Sequence, residues 1–229
     1  MLYVAGIAAG RRGWNGLSGM APDASIIAVK VHSQLGSDLV ALSNDIIAGM
    51  QALATNVTSG EVTANLSLGD PNMMYSSTCS GVFQAFEDAV TQLNSLRIPV
   101  VAASGNYAQR GYITWPSCVP RVIKVAATYD TRDQISGESD VINPTMVDAP
   151  MLFAPGCPIT SSNIGGGTVS PACGTSAAAP HVAGLYAAIK AAAPGISVAD
   201  ASAWILANGV AVPVFWYGYS IKRINVPNL

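Results

Sequence analysis

Charge is scarce in this sequence. Only 10% of its 229 residues are charged, and the formal net charge is −2. So few cations cannot form the basic face that grips nucleic acid or an anionic bilayer, so neither is an expected partner. Long apolar runs are also missing. The most apolar stretch, residues 177–194, is broken by Pro180, His181 and Lys190, and a membrane-spanning helix needs ~18 uninterrupted residues. Histidine occurs twice, as His32 and His181, and the four cysteines form no C-x-x-C, which argues against a zinc site. No carboxylate-dense loop marks a calcium site. Residues 1–10 are apolar, but Arg11 and Arg12 follow that run, whereas a signal peptide carries its charge ahead of it. If the protein is secreted, its targeting segment is expected outside this sequence.

What is present is apolar: hydrophobic residues make up 50% of the chain, enough for a large buried core. Strand-like and helix-like patterns alternate. Residues 3–9 read as a short helix. Residues 25–31 (SIIAVKV) form a β-branched run of the kind buried in parallel sheets. A helix is predicted over 38–55, capped by Ser37, with Leu39, Leu42, Ile46, Met50 and Leu53 on its apolar face. A strand over 61–68, a loop to Thr78 and a helix over 81–96 follow, the helix turning Phe83, Phe86, Val90 and Leu93 inward. Further strands are predicted at 98–104, 122–128 and 152–154, residues 159–162 and a glycine run at 165–167 lead on to residue 174, and a last helix is predicted at 198–207 behind the cap Ser197. Residues 129–150 are polar and turn-rich. This order implies one α/β domain over 1–229 with a mainly parallel sheet, and ligands bind such sheets at the carboxyl ends of strands.

The stretch 174–184, GTSAAAPHVAG, is chemically the most informative. Small residues and a proline lead into an alanine-rich run, which places Ser176 at the start of a long helix. Helix N-termini present free N–H groups and favour negative charge. Ser176 could therefore be a plain cap on a core helix, or a nucleophile for acyl transfer, whose transition state carries an oxyanion. Asn106, just after a predicted strand, could be a turn residue or an oxyanion donor. The common G-x-S-x-G elbow does not fit, because Ala178 stands where its second glycine is needed.

The pattern G-T-S-x-A-x-P-H-V-A-G resembles the nucleophile motif of the subtilisin-like serine peptidases (subtilases), departing at Ala177, where the family commonly has Met. Ala103-Ser104-Gly105-Asn106 is similar to the family's A-x-G-N, which supplies the oxyanion-hole asparagine. Ser67-Leu68-Gly69 resembles the strand that pairs with substrate backbone. The resemblance implies a three-layer subtilisin-like fold, Ser176 as nucleophile, Asn106 in the oxyanion hole, and a substrate pocket walled by Ser67, Leu68, Gly69, Ala103, Ser104 and Gly105. The walls near Ala103 and Gly105 look small enough to admit a large apolar side chain. Gly36-Ser37 is a weaker candidate for the opposite substrate edge. His181 falls at a structural position of the motif. The four cysteines allow three pairings; similar secreted bacterial enzymes favour Cys79–Cys118, which leaves Cys157 with Cys173. The implied substrate is a polypeptide, the implied location is extracellular, and no cofactor is implied beyond the calcium that family members often bind.

The resemblance also exposes a gap. The family's histidine motif H-G-[TS]-x-V-A-G and aspartate motif D-[ST]-G do not occur here. Residues 3–10 match the sequence after the histidine motif, so the catalytic histidine is expected just ahead of Met1. The resemblance thus covers the C-terminal two-thirds or so of the family domain, and the N-terminal part, with the aspartate strand and the start of the histidine helix, is expected to be missing. That strand would lie between residues 25–31 and 61–68, so its loss should leave two edges and an apolar slot open. A chain of this kind is expected to be inactive alone. A non-catalytic relative that binds extended peptides, and a decayed fragment, are the alternatives. Two glycosylation sequons, at Asn56 and Asn65, are also present, the second on a predicted strand.

Overall fold

The computed structural model describes residues 2–13, 15–57 and 61–226. It opens with α1 (Leu2–Ala9), followed by a hairpin of β1 (His32–Leu35) and β2 (Asp38–Ala41), then α2 (Ser43–Asn56) and β3 (Ala64–Leu66). Next come β4 (Asp70–Tyr75), α3 (Gln84–Ser95), β5 (Val100–Ala103), β6 (Ile113–Trp115) and β7 (Ile123–Tyr129). The chain continues through β8 (Met151–Cys157), β9 (Ile159–Ser162), β10 (Thr168–Ala172), α4 (Thr175–Ala192), α5 (Val198–Asn208), β11 (Val210–Val214) and β12 (Tyr219–Arg223).

The central sheet has the order β11-β12-β8-β7-β5-β3, parallel throughout except for the terminal β11–β12 hairpin. Both faces are covered, as parallel strands require. On β5, Val101 and Ala103 face the cluster built on Val182 and Tyr186 of α4, while Val100 and Ala102 face Ile46 of α2 and Phe86 of α3. The result is a three-layer α/β sandwich. Buried α4 owes its close fit to small side chains. Its Gly184 lies where a Cβ would come within 2.8 Å of the Ala8 carbonyl oxygen of α1.

Three expectations from the sequence fail, each for a physical reason. Residues 25–31 form no regular element and join no ladder among the described residues, and Ile26 and Ile27 are more than half exposed. Apolar β-branched residues form a strand only where a neighbour completes the hydrogen bonds, and no described strand lies beside them. Val29 and Val31 lean on α2 instead, where a Cβ at Gly49 would meet their Cγ1 atoms at 2.9 and 3.1 Å. Second, the helix expected from residue 38 begins at Ser43. Gly36, at φ +62°, lets Gly36-Ser37 form a two-residue turn between β1 and β2, so Ser37 caps no helix and Leu39 is 75% exposed. Third, the loop after Gly69 contains β4, which pairs antiparallel with β6. Of the two edges expected to be open, β3 is one: among the described residues it pairs only with β5. Thr58, which completes the Asn56 sequon, lies outside the described residues, and Asn65 sits within β3.

Candidate active site

Three strand ends and one helix start converge at the carboxyl edge of the sheet. Ser176 is the second residue of α4, behind Gly174, whose φ of 151° turns the chain sharply into the helix. Two features hold that turn. The Gly174 N–H donates to the Gly156 carbonyl at 3.0 Å, and the Cys157–Cys173 disulfide ties the end of β8 to the segment before α4. Gly156 has no room for a side chain: a Cβ there would lie 2.5 Å from the Ala127 Cβ and 2.9 Å from the Gly174 oxygen. The second disulfide, Cys79–Cys118, joins the start of the α3 segment to the turn after β6, far in sequence from Ser176.

Ser67 follows β3. Its hydroxyl donates to the Ser176 carbonyl at 2.9 Å and accepts from the Asn65 amide at 3.0 Å, while the Ser176 hydroxyl lies 3.5 Å from the Ser67 carbonyl oxygen. Asn106 stands beyond β5. Its Oδ1 accepts from the Thr175 N–H at 2.7 Å and from the Thr175 hydroxyl at 2.8 Å. Two donors on the oxygen fix which way the amide faces, leaving Nδ2 with its two N–H groups on the other side. The same Thr175 hydroxyl accepts from the Gly105 N–H at 3.2 Å. Gly105 adopts φ +123°, and a Cβ there would collide with the Asp140 carboxylate.

Asp140 is the site residue that the sequence concealed. It is fully buried behind residues 104–109 and holds them at four points. Its Oδ1 accepts from the N–H groups of Tyr107 (2.9 Å) and Gln109 (2.7 Å). Its own N–H donates to the Gly105 carbonyl at 2.9 Å, and its carbonyl accepts from the Ser104 hydroxyl at 2.7 Å. Oδ2 has no partner. Burial pushes the carboxyl pKa above its ordinary value, opposed by the two N–H donors and by the Arg110 charge. Asp140 lies within the polar, turn-rich stretch 129–150, and no local pattern distinguishes it from a solvated turn residue.

The hollow between these elements is lined by Leu68, Gly69, Ala103, Gly105, Asn106, Tyr107, Thr114, Thr175 and Ser176. Of the expected wall residues, Ser67 and Ser104 take no part in the lining: Ser67 is bonded to α4, and Ser104 is buried with its hydroxyl on Asp140. The hollow measures about 40 Å³, and Thr114 of β6 lies against both walls, where a Cβ on Gly69 or Gly105 would meet its side chain at 2.6 and 2.9 Å. A broader depression of about 440 Å³ lies between residues 30–33 and α2, away from Ser176 and Asn106. Gly36 and Ser37 form the exposed turn of the β1–β2 hairpin.

Neither histidine lies against Ser176. The His181 Nδ1 bonds the Ala177 carbonyl at 2.9 Å one turn back on α4, and its burial holds its pKa below the ordinary histidine value. His32 is on β1, beside the 440 Å³ depression.

A six-stranded, largely parallel sheet that carries a serine at a helix N-terminus, faced by an asparagine from a neighbouring strand end, is the architecture of a subtilisin-like hydrolase. The chain belongs to the Subtilase family, whose model matches residues 2–219. It is similar to "Subtilisin-like protease 3" of Arthroderma otae, 38% identical over 188 residues, covering 80% of this chain and 42% of that protein. It is also similar to "Subtilisin-like protease 4" of Arthroderma gypseum, 34% identical over 175 residues, covering 74% of this chain and 38% of the relative. The chain thus spans about two-fifths of the length of these relatives. Among solved structures, a cold-adapted subtilisin-like serine proteinase superimposes with a TM-score of 0.76 at 25% identity, over 96% of this chain and 72% of that one.

Proposed function

We propose that this chain carries the nucleophile and oxyanion half of a serine endopeptidase of the subtilisin type. Ser176 Oγ attacks the peptide carbonyl, and the tetrahedral intermediate places its oxyanion between the Asn106 Nδ2–H and the Ser176 N–H. Collapse expels the amine and leaves an acyl group on Ser176, which water then removes. The reaction draws on no cofactor. The observation that carries this reading is the clamp of Thr175 on Asn106 Oδ1, which leaves the amide donors unspent next to the helix start that bears Ser176. Two disulfides fit an oxidising, extracellular setting.

The base and the aspartate that orients it come, on this reading, from a further segment of the same domain. That segment adds a strand to the free edge of β3 and covers the apolar residues at 26–29. It brings a histidine to Ser176, which has no imidazole partner among the described residues. Loss of the base alone from such a triad costs about a millionfold in turnover in subtilisin, so the chain by itself should be almost inert.

Labelling with a fluorophosphonate tests this. The purified chain should react slowly, and adding a fragment that carries D-[ST]-G and H-G-T sequences should speed labelling at Ser176 by several orders of magnitude. Fast stoichiometric labelling of the chain alone would sink the claim that the base comes from outside it. Peptide binding without labelling, even with the fragment present, would favour a peptide-binding relative.

A further inference from the structure

The two disulfides differ in what a reductant can reach. Cys79 and Cys118 are both buried, at 5% and 0% exposure, in the core cluster that holds Phe86 and Trp115. The Cys157–Cys173 bridge has one end inside and one end outside. Cys157 is 7% exposed, whereas Cys173 closes an exposed run, residues 171–173. Thiol–disulfide exchange begins when a thiolate reaches one sulfur of the bond, so access separates the two bridges.

The exposed end is also the more loosely held. Cys157 ends β8 opposite Tyr129 of β7, and its carbonyl accepts from the Asp130 N–H at 2.7 Å. Cys173 follows β10, whose pairing with β9 shifts register between Val169 and Ala172. The next residue, Gly174, is tied back to β8 by its N–H on the Gly156 carbonyl at 3.0 Å. Gly174 also lies against the oxyanion donor: a Cβ there would stand 3.3 Å from Asn106 Nδ2. Thr175 comes next, and its N–H and hydroxyl hold Asn106 Oδ1. One residue thus separates the exposed sulfur from the group that aims the asparagine amide.

We infer that Cys157–Cys173 is a redox switch for the site at Asn106 and Ser176, which is assembled only while this bridge is closed. The inference rests on the reading of those residues as a peptidase site. The partner it requires is an external dithiol. A thiolate of the dithiol attacks the exposed Cys173 Sγ, the S–S bond breaks, and its electron pair leaves on Cys157 Sγ, which takes up a proton. The second thiol of the reductant then displaces Cys173 from the mixed disulfide, so that the chain gains two electrons and two protons and the dithiol becomes a disulfide. With its tether cut, the exposed run 171–173 no longer holds the Gly174 turn, and Thr175 loses its fixed place on Asn106. Cys79–Cys118, out of reach, keeps the rest of the fold closed. The site of a chain held in a reducing compartment is therefore slack, and transfer to an oxidising one sets it.

Graded reduction of the purified, oxidised chain tests this without requiring turnover. The chain is equilibrated with increasing dithiothreitol, free thiols are trapped with iodoacetamide, and the alkylated cysteines are located by mass spectrometry. Cys157 and Cys173 should be alkylated before Cys79 and Cys118. In the selectively reduced chain the NMR signals of the Gly174 and Thr175 amides and of the Asn106 side-chain amide should shift. Affinity for a tetrapeptide ending in Ala with a free carboxylate should fall ~10-fold or more, as for loss of a hydrogen bond to a charged group. Oxidised glutathione should restore both. The double variant Cys157→Ser, Cys173→Ser should bind like the reduced chain and not respond to the same dithiothreitol concentration. Reduction of both bridges together, or selective reduction that leaves affinity and amide signals unchanged, would overturn the switch and leave the peptidase reading standing. An oxidised chain that binds no peptide acid would overturn both. If the variant does not fold, graded reduction of the native chain decides by itself.

Discussion

Thr175 and Asn106, on different elements, are joined by two hydrogen bonds to one atom: Asn106 Oδ1 accepts from the Thr175 N–H at 2.7 Å and from its hydroxyl at 2.8 Å. The helix that begins at Thr175 therefore orients the amide next to which Ser176 stands. Thr175→Val keeps the shape and removes one of the two donors, freeing the amide to rotate. The affinity of the chain for an Ala-terminated peptide acid, whose carboxylate occupies the oxyanion position, should fall ~10-fold or more, as for loss of a hydrogen bond to a charged group. Asn106→Ala should cost about the same, and the double variant little beyond either single one, because both changes act through one amide. A double variant that falls by the product of the two effects would mean that Thr175 acts elsewhere.

Asp140 predicts a pH dependence. Burial raises its pKa, so the folded chain holds this proton more tightly than the unfolded chain does. Its contribution to stability is full below the ordinary carboxylate pKa of about 4 and is lost as pH rises through the raised value. Asp140→Asn keeps an acceptor for Tyr107 and Gln109 but cannot ionise. Between pH 3 and 7 the urea midpoint of the native chain should fall relative to that of Asp140→Asn. Parallel profiles would refute this.

Lys124 gives the opposite sign. On β7 it is completely buried, with its ammonium 2.7 Å from the Val122 carbonyl and 3.5 Å from Asp148, and desolvation lowers its pKa to about 8. Between pH 8 and the ordinary lysine value of 10.5 the unfolded state binds more protons, so stability rises with pH by up to ~1.4 kcal/mol per unit. Lys124→Met should remove that slope. Denaturant unfolding of both proteins at pH 8, 9 and 10 measures it.

The disulfides should contribute unequally. Cys79–Cys118 closes 39 residues and Cys157–Cys173 closes 16, which the loop-entropy relation converts to about 4 and about 3 kcal/mol. Replacing Cys157 and Cys173 by Ser should nonetheless harm the site more, because that bridge holds the turn at Gly174. Peptide-acid affinity should fall in this variant and hold in the Cys79/Cys118 double variant, once both are compared at equal folded fraction.

How much of this was legible in the chain depends on where each signal resides. The long helix behind Ser176, the cap Ser197 and the buried strands at Val100–Ala103 and Ile123–Tyr129 are local patterns, and local patterns survive folding. Residues 25–31 carry an equally strong strand pattern and form no strand, because a ladder needs a neighbour that periodicity does not report. Leu39 and Leu42 fit a helical face, yet the glycine at position 36 closes a hairpin first and leaves both exposed.

The sequence by itself determined the family, through the motif around Ser176 and the A-x-G-N at Asn106, and the α/β order of its elements. Those properties depend on residues adjacent in the chain. Tertiary structure alone decided that Thr175 orients Asn106, that Asp140 anchors residues 104–109 and that Thr114 packs against both Gly69 and Gly105. In each case the partners lie on separate elements, and sheet order, not sequence spacing, brings them within hydrogen-bonding or van der Waals distance.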